Sequence, residues 1–292
     1  MSTNREQRQT AARLLSWFAD RAHVGGPVGG RVMVAFSGGV DSALVLAAAV
    51  RALGADRVVA ATAVSPALPS GMLADAAAFA CSLGVEHVEV PTREMDVEGY
   101  TRNGHDRCYF CKATLVDALG AVLDVASYGS DPVVLTGTNA DDVVAGWRPG
   151  IRAAAERGAL TPLADVAMSK ADVRTLARFW GLPVWDRPAS PCLSSRVAYG
   201  VAITPARLAR VDRAEIEVRA LLTRAGIDSP DLRVRDLGDT ARIEVAATAV
   251  DDTRRSGAVD AVRAAGFDGL VTVEAFTSGR LNAVLPASLQ HA

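Results

Sequence analysis

The sequence predicts an α/β protein, in which a parallel sheet with helices on both faces precedes a small C-terminal α+β domain. Through the first two thirds of the chain, short continuous apolar runs alternate with helix-length amphipathic segments, the pattern of a parallel sheet buried on both faces. After residue 200 the pattern changes to period-two alternation across a Gly-Asp turn, which is typical of a hairpin. We therefore predict domains at residues 1–199 and 200–292.

The elements of the first domain follow from periodicity and from glycine stops. An apolar stripe predicts a first helix, a Gly-rich break follows it, and Gly84 ends a later helix. The predicted order is helix 5–22, break 24–30, strand 31–36, helix 41–53, strand 57–64, helix 71–83, strand 85–90, helix 109–124, strand 132–136, helix 169–180 and a short strand 183–185. A ligand site is expected at the carboxyl ends of these strands.

The second domain is predicted from two helix-length segments and three strand-length runs. In order, these are helix 204–226, strand 232–235, strand 241–245, helix 248–265 and strand 270–276, followed by a tail of about a dozen residues.

Composition excludes several classes of protein. The 292 residues carry 31 Lys+Arg against 33 Asp+Glu, which argues against a general polyanion binder, so no nucleic-acid partner is expected. The longest uncharged apolar run, Ala43 to Val50, is too short to span a bilayer. The polar N-terminus does not resemble a secretory signal, and four cysteines in so long a chain do not make a disulfide framework. We expect a cytoplasmic protein.

The strongest local motif lies between the first strand and the second helix. It is Ser37-Gly38-Gly39-Val40-Asp41-Ser42. Glycines let backbone N–H groups approach phosphate oxygens, and the helix N-terminus adds partial positive charge. The serines can donate hydroxyl hydrogen bonds and Asp41 can help to hold Mg²⁺. No Gly-Lys-Ser/Thr is present, so transfer of a γ-phosphate is not expected.

Three cysteines stand in distinctive contexts. Cys108 and Cys111 form a CxxC pair, and Cys192 follows the last predicted strand of the first domain. Zinc, a redox pair and an iron–sulfur cluster all remain possible for such thiols. Three thiolates suit a 4Fe–4S cluster with one iron open to sulfide, whereas Cys192 alone can act as a sulfur-bearing nucleophile. Cys81 is predicted to be a small core residue on a helix.

The motifs together resemble a known family. Ser-Gly-Gly-x-Asp-Ser is the fingerprint of the PP-loop ATP pyrophosphatases. In order, the further motifs are Cys108-Tyr-Phe-Cys-Lys112, Gly137-Thr-Asn-Ala-Asp-Asp142, Arg148-Pro-Gly150 and Ser190-Pro-Cys-Leu-Ser-Ser-Arg196. With them the chain resembles, over roughly residues 10–280, the LarE family of ATP-dependent sulfur transferases.

That resemblance implies a reaction. ATP would be cleaved to AMP and pyrophosphate, and the carboxylates of pyridinium-3,5-biscarboxylic acid mononucleotide would be adenylated and converted to thiocarboxylates for a nickel-pincer nucleotide. Some members sacrifice the sulfur at the Cys192 position, and others use three cysteines and a 4Fe–4S cluster that relays sulfide. With all three cysteines present, the cluster type is the closer match. ATP, Mg²⁺ and the cluster are the implied cofactors, a sulfide or sulfur-donor system is an implied partner, and a homo-oligomer is expected.

The resemblance also implies nucleotide contacts. The end of the second strand, with Thr62, would contact adenine, and the loop carrying Gly137, Thr138 and Asn139 would close over the nucleotide. From the residues themselves, that loop suits Mg²⁺ and ribose at Asp141, although a helix-start charge pair of Asp141 and Asp142 is the alternative.

Basic residues complete the candidate site. Only Lys112 and Lys170 are lysines, and the other basic residues are arginines, so a lysine marks a position where a compact ammonium is needed, or simply one that a codon bias spared. Lys170, at a helix start, is a candidate for stabilising phosphate charge. The arginine candidates for substrate carboxylate or phosphate are Arg148, Arg196, Arg233 and Arg235. For Arg233 and Arg235, pairing with Asp236 or Glu244 is the alternative.

The sequence leaves three rival functions. A tRNA thiolase shares the loop, but the chain lacks a basic stripe. An amide-forming ligase has no use for three such cysteines. A non-catalytic adenine-nucleotide sensor is possible, because fold alone does not fix function.

Overall fold

A computed structural model describes residues 2–20, 31–125 and 133–280. The chain divides into two units. The first unit comprises Met1–Ser65, Gly71–Glu94 and Cys108–Ala189, and the second comprises Pro66–Ser70, Met95–Arg107 and Ser190–Ala292. The second unit thus begins ten residues before the predicted boundary and takes in two earlier segments of the chain.

The sheet of the first unit has four parallel strands in the order β3-β2-β1-β4. The strands are β1 Val32–Ala35, β2 Val58–Val64, β3 Glu86–Pro91 and β4 Val133–Leu135. Val32 of β1 lies opposite Val58 on one side and Val133 on the other. The apolar runs of the sequence become strands because both faces of this sheet are covered, and the predicted fold class is confirmed.

Alternate residues of the strands face two separate cores. On one face, Val34 and Ala60 pack with a large cluster that includes Leu44 and Leu176. On the other face, Met33, Val59 and Val134 pack with Val116 and Leu119. Helices therefore hold the sheet from both sides and fix the carboxyl ends of its strands in one row.

The helices around this sheet are mostly those that the sequence predicts. They are α1 Ser2–Asp20, α2 Val40–Leu53, α3 Met72–Ser82, α5 Arg107–Val125, α6 Ala140–Val144, α7 Pro149–Ala155, α8 Pro162–Asp165 and α9 Lys170–Phe179. The predicted strand at 183–185 is wrong. Its backbone closes local turns, with Trp185 N–H donating to Leu182 and Arg187 N–H to Val184. The predicted break at 24–30 lies outside the described residues.

The second unit contains a three-stranded sheet in the order β5-β6-β7. Its elements are α4 Glu98–Thr101, α10 Pro205–Arg224, β5 Arg233–Asp236, β6 Ala241–Val245, α11 Val250–Arg255, α12 Ala258–Ala264 and β7 Val271–Ala275. β5 and β6 are antiparallel, and β6 and β7 are parallel. The single helix predicted at 248–265 is wrong, because Gly257 takes a left-handed φ of 82° and separates α11 from α12. The predicted tail lies outside the described residues.

In the described parts of the chain, no helix is both long enough and apolar enough to cross a membrane.

Candidate functional site

The phosphate-type loop is built as the sequence predicts, between β1 and α2. Gly38 has a φ of 73°, a left-handed conformation that glycine adopts without strain. Ser37 N–H donates to the Ser42 hydroxyl at 3.3 Å, and that hydroxyl contacts Gly39 O at 3.1 Å. The loop is thus closed on itself and leads directly into the N-terminus of a 14-residue helix, where backbone N–H groups and the helix dipole favour an anion.

Asp41 is the best-connected side chain of this loop. Its Oδ1 accepts a hydrogen bond from Asn139 Nδ2 at 3.0 Å, and its Oδ2 forms an ion pair with the Lys170 ammonium. Asp41 lies on α2, Asn139 follows β4, and Lys170 begins α9. Three separate segments of the first unit therefore converge on one carboxylate at the carboxyl edge of the sheet.

Gly137 allows the loop after β4 to approach the phosphate-type loop. A Cβ atom at Gly137 would lie 2.7 Å from Ser42 N and 3.0 Å from the Asp41 carbonyl carbon. Both neighbours are backbone atoms, which cannot move aside as a flexible side chain can. Only glycine fits here, and the fit places Asn139, two residues later, beside Asp41.

Two helix caps hold Asn139 and Lys170 in position. Asn139 caps α6 in a reciprocal capping box with Asp142, and Ser169 caps α9 in the same way with Asp172. Asp141 accepts a hydrogen bond from Lys170 N–H at 2.9 Å. The helix-start alternative for the two aspartates therefore describes Asp142, whereas Asp141 ties the α6 turn to the start of α9.

Thr62 supports the loop from the neighbouring strand β2. It is buried, its hydroxyl contacts Phe36 O at 2.8 Å, and it lies 2.8 Å from His87 Nε2. Burial lowers the pKa of His87, partly opposed by the charge of Glu89. The Thr62 hydroxyl thus holds the residue just before Ser37 to the adjacent strands.

The cysteine pair lies on the first turn of α5. Cys108 is exposed and Cys111 is half-buried, and their spacing places them on one side of the helix. Gly150, second residue of α7, packs against this turn, since a Cβ there would lie 3.1 Å from Cys108 O. Arg148 is the N-cap residue of α7, and its Nη2 lies 3.8 Å from Oδ1 of Asp142. The Arg-Pro-Gly motif therefore positions the cysteine-bearing turn.

In the second unit, Cys192 precedes a short 3₁₀ turn, Leu193–Arg196. Its carbonyl accepts hydrogen bonds from Ser195 N–H at 3.0 Å, from the Ser195 hydroxyl at 2.7 Å and from Arg196 at 3.2 Å. Arg196 also donates to Pro191 O. The backbone that carries the Cys192 thiol is thus fixed on both sides of the cysteine.

Arg196 is almost completely buried, with 1% of its surface exposed. Its Nε and Nη2 donate to the two carboxylate oxygens of Glu215 at 2.9 and 3.2 Å. The third nitrogen, Nη1, donates to backbone carbonyls of the loop that carries Cys192. This geometry favours a role for Arg196 in holding that loop rather than the predicted contact with substrate.

The predicted arginine pair lies on one buried face of β5. Arg235 donates to Glu244 at 2.8 Å and to Ser195 O at 2.9 Å, so the carboxylate alternative applies to it. Arg233 donates to Leu232 O. Burial and, to a smaller extent, the nearby charge of Arg196 together lower the pKa of Arg233 to about 10.

Comparison with known proteins agrees with this architecture. A family model described as NAD synthase matches residues 21–193, more than half of the chain. An uncharacterised protein of Synechocystis sp. is 43% identical over 260 residues, covering 87% of this chain and 93% of that protein. An uncharacterised protein of Methanocaldococcus jannaschii is 29% identical over 149 residues, covering 51% and 54%. Pyridinium-3,5-bisthiocarboxylic acid mononucleotide synthase of Lactiplantibacillus plantarum, a LarE protein, is 35% identical over 222 residues, covering 76% and 77%.

The chain belongs to the LarE family. The predicted family is therefore confirmed.

One cysteine of this LarE-family chain differs from expectation. Cys81 is exposed, so its prediction as a core residue is wrong. The buried residues of α3 are Ala76, Phe79 and Ala80, and the helical repeat turns position 81 away from them. In the portion of the chain that the structure describes, no three His, Cys, Asp or Glu side chains form a group that could hold a metal ion.

Sequence reasoning missed the residues that shape the LarE Cys192 loop. Asn103, with a φ of 59°, donates from its side-chain amide to the carbonyls of Ala198 and Val201, each at 2.8 Å. Arg107 bridges Asn103 Oδ1 and Ser194 O at 2.7 and 2.9 Å. The Asn-Gly pair at 103–104 was a signal for a turn, but nothing in the sequence indicated its distant partners.

Proposed function

We propose that this chain is an ATP-dependent sulfurtransferase that adenylates the carboxylates of pyridinium-3,5-biscarboxylic acid mononucleotide and replaces AMP with sulfur. The observation that carries the proposal is Asp41, held by Asn139 and Lys170 beside a glycine loop at the start of α2. Membership of the LarE family supports ATP use and this class of substrate.

The loop residues would bind the phosphates of ATP. Ser37, Gly38, Gly39 and Ser42 offer hydroxyl and backbone N–H donors at a helix start. Asp41 and Asp141 would hold Mg²⁺ together with phosphate oxygens, since Mg²⁺ is usually bound through one or two carboxylates and the substrate. The carboxylate of Asp41 fits that role, because its side chain keeps 23% of its surface exposed beside the loop. Bound Mg²⁺ would neutralise phosphate charge.

Further residues would position the nucleotide. Thr138, on the loop after β4, would close over the nucleotide. Thr62 lies in the carboxyl half of β2, where adenine is expected to bind. Lys170 would stabilise the charge on phosphorus or pyrophosphate. Activation is needed because a carboxylate oxygen is a poor leaving group, whereas AMP is a good one.

In the second unit we propose that Arg233 binds a phosphate or carboxylate group of the pyridinium nucleotide. Its guanidinium is largely buried, and the charges of Arg196 and Arg235 lie close to it. Guanidinium groups bind carboxylates and phosphates through charge-assisted hydrogen bonds, so this cluster of arginines is suited to an anionic substrate group.

Sulfur would come from the cysteines. Cys108, Cys111 and Cys192 are a three-thiolate donor set of the kind that a 4Fe–4S cluster with one open iron requires. In the cluster route these three thiolates would hold the cluster, and the open iron would supply the sulfide. In the alternative, the Cys192 thiol attacks the adenylate and expels AMP. Loss of the Cα proton then breaks its Cβ–S bond, which leaves a thiocarboxylate and dehydroalanine.

The proposed reaction is tested by product analysis. ATP and the dicarboxylate nucleotide should yield AMP and pyrophosphate, whereas ADP and phosphate would contradict the proposal. Asp41→Asn should remove turnover and retain the fold. A nucleotide sensor would give no pyrophosphate at all.

The sulfur route is tested by intact-protein mass and by variants. If a cluster operates, Cys108→Ala, Cys111→Ala and Cys192→Ala should each abolish iron content and sulfide-dependent turnover, with Cys81→Ala as the matched control. If Cys192 is sacrificed, only Cys192→Ala stops turnover, and the reacted protein is lighter by the mass of one H₂S.

A further inference from the structure

Protein groups occupy both oxygens of the Asp41 carboxylate. Asn139 donates to Oδ1 at 3.0 Å, and the ammonium of Lys170 is paired with Oδ2. A carboxylate oxygen is also what Mg²⁺ prefers as a ligand. An ammonium and a metal ion therefore compete for the same atom, Oδ2 of Asp41.

We propose that Lys170 is a displaceable counter-ion of Asp41. Its ammonium occupies the position of the metal ion at Oδ2 of Asp41 and moves away when Mg²⁺ binds together with ATP. The displaced ammonium then remains beside the phosphates that arrive with the metal. This inference rests on the proposed ATP site and adds to it an order of events, in which the metal enters with the nucleotide.

The backbone of Lys170 is fixed while its side chain has room to move. Its N–H donates to Asp141 at 2.9 Å, and the residue before it, Ser169, forms a capping box with Asp172. The side chain keeps 37% of its surface exposed. Because four methylene groups separate the ammonium from the backbone, the exchange needs only rotamer changes of this one side chain.

The residue type suits an exchange. A guanidinium binds a carboxylate through two parallel hydrogen bonds, whereas an ammonium is a single point charge that dissociates from the carboxylate more easily. In this chain nearly every basic residue is arginine, and the partner of Asp41 is one of the two lysines. Metal competition for Asp41 accounts for a lysine at this position.

The test measures metal binding to the full-length protein without turnover. Mn²⁺ is the probe, and the loss of the free-ion EPR signal beyond that caused by the analogue alone reports binding to the protein. Wild-type protein should take up Mn²⁺ at this site only when a non-hydrolysable ATP analogue is added. Lys170→Met, which removes the ammonium, should bind Mn²⁺ without nucleotide at least about tenfold more tightly than wild type, equivalent to about 1.4 kcal/mol. The second substitution Asp41→Asn should abolish that gain.

Arg178→Met is the matched control, because it removes one positive charge from the same helix α9 and Arg178 stacks on Trp185 rather than meeting Asp41. It should leave Mn²⁺ affinity unchanged. Equal Mn²⁺ binding by wild type and Lys170→Met would overturn the exchange. If Lys170→Met fails to fold by circular dichroism, Lys170→Gln gives the same comparison. Because no catalysis is measured, a failure here is distinct from a failure to release pyrophosphate.

Discussion

Replacing Gly137 by alanine tests how the nucleotide site is assembled. The added Cβ would lie 2.7 Å from Ser42 N and 3.0 Å from the carbonyl carbon of Asp41, whereas ordinary contacts begin at 3.4 Å. Backbone must therefore separate by several tenths of an ångström, and overpacking of this kind costs about 1–3 kcal/mol. Asn139 lies on the same loop, so its hydrogen bond to Asp41 should be lost or lengthened. We expect the free energy of unfolding to fall by about 2 kcal/mol and ATP affinity to fall about tenfold or more.

The assays are urea unfolding and titration with an ATP analogue. Gly120→Ala is the matched control, since a Cβ there meets nothing within 4 Å. Gly120 lies inside α5, where alanine should stabilise the protein by about 0.5–1 kcal/mol without changing ATP affinity. If Gly137→Ala binds ATP within a factor of two of wild type, the close approach at Gly137 does not shape the nucleotide site.

Three further changes address other contacts. Glu215→Gln removes the charge facing the buried Arg196 and should lower the free energy of unfolding by about 3–5 kcal/mol; a loss below about 1 kcal/mol in urea unfolding would count against the buried pair. Burial lowers the folded-state pKa of His87, so the unfolded chain takes up its proton first as pH falls below about 6.5. Stability should therefore decline from that pH downward, and His87→Gln should lose less stability between pH 7 and 5; equal losses would refute this. Lys170→Arg should slow adenylation about tenfold, about 1.4 kcal/mol in barrier, and a rate within a factor of two of wild type would make its charge generic.

Much of the fold could be predicted because the chain repeats one clear physical pattern. The apolar runs at β1 and β2 form buried parallel strands. The observed strands begin and end within one residue of the predicted bounds. The predicted secondary structure was wrong where the spacing of apolar residues does not distinguish a strand or a continuous helix from turns. The apolar segment at 183–185 forms turns, and Gly257 divides a helix whose composition looks continuous.

The candidate site was predictable in its local part only. The loop from Ser37 to Ser42 is contiguous, so its motif and its structure coincide. The ion pair between Asp41 and Lys170 joins residues 129 positions apart, and no spacing rule connects such residues. The burial of Arg196 was equally hidden, because an arginine in a motif looks the same in a sequence whether it faces a substrate or Glu215.

The side chain of Asn103 constrains how this gene can be recombined. Asn103 satisfies carbonyl groups of Ala198 and Val201 from a position almost a hundred residues earlier in the chain. A chimaera that exchanges only residues after 190 between two relatives would pair one parent's cysteine loop with the other parent's asparagine turn. Segment 95–107 must therefore be inherited together with the C-terminal part, because a crossover between them would remove the Asn103 hydrogen bonds to these two part-buried carbonyls wherever the parents differ at that residue.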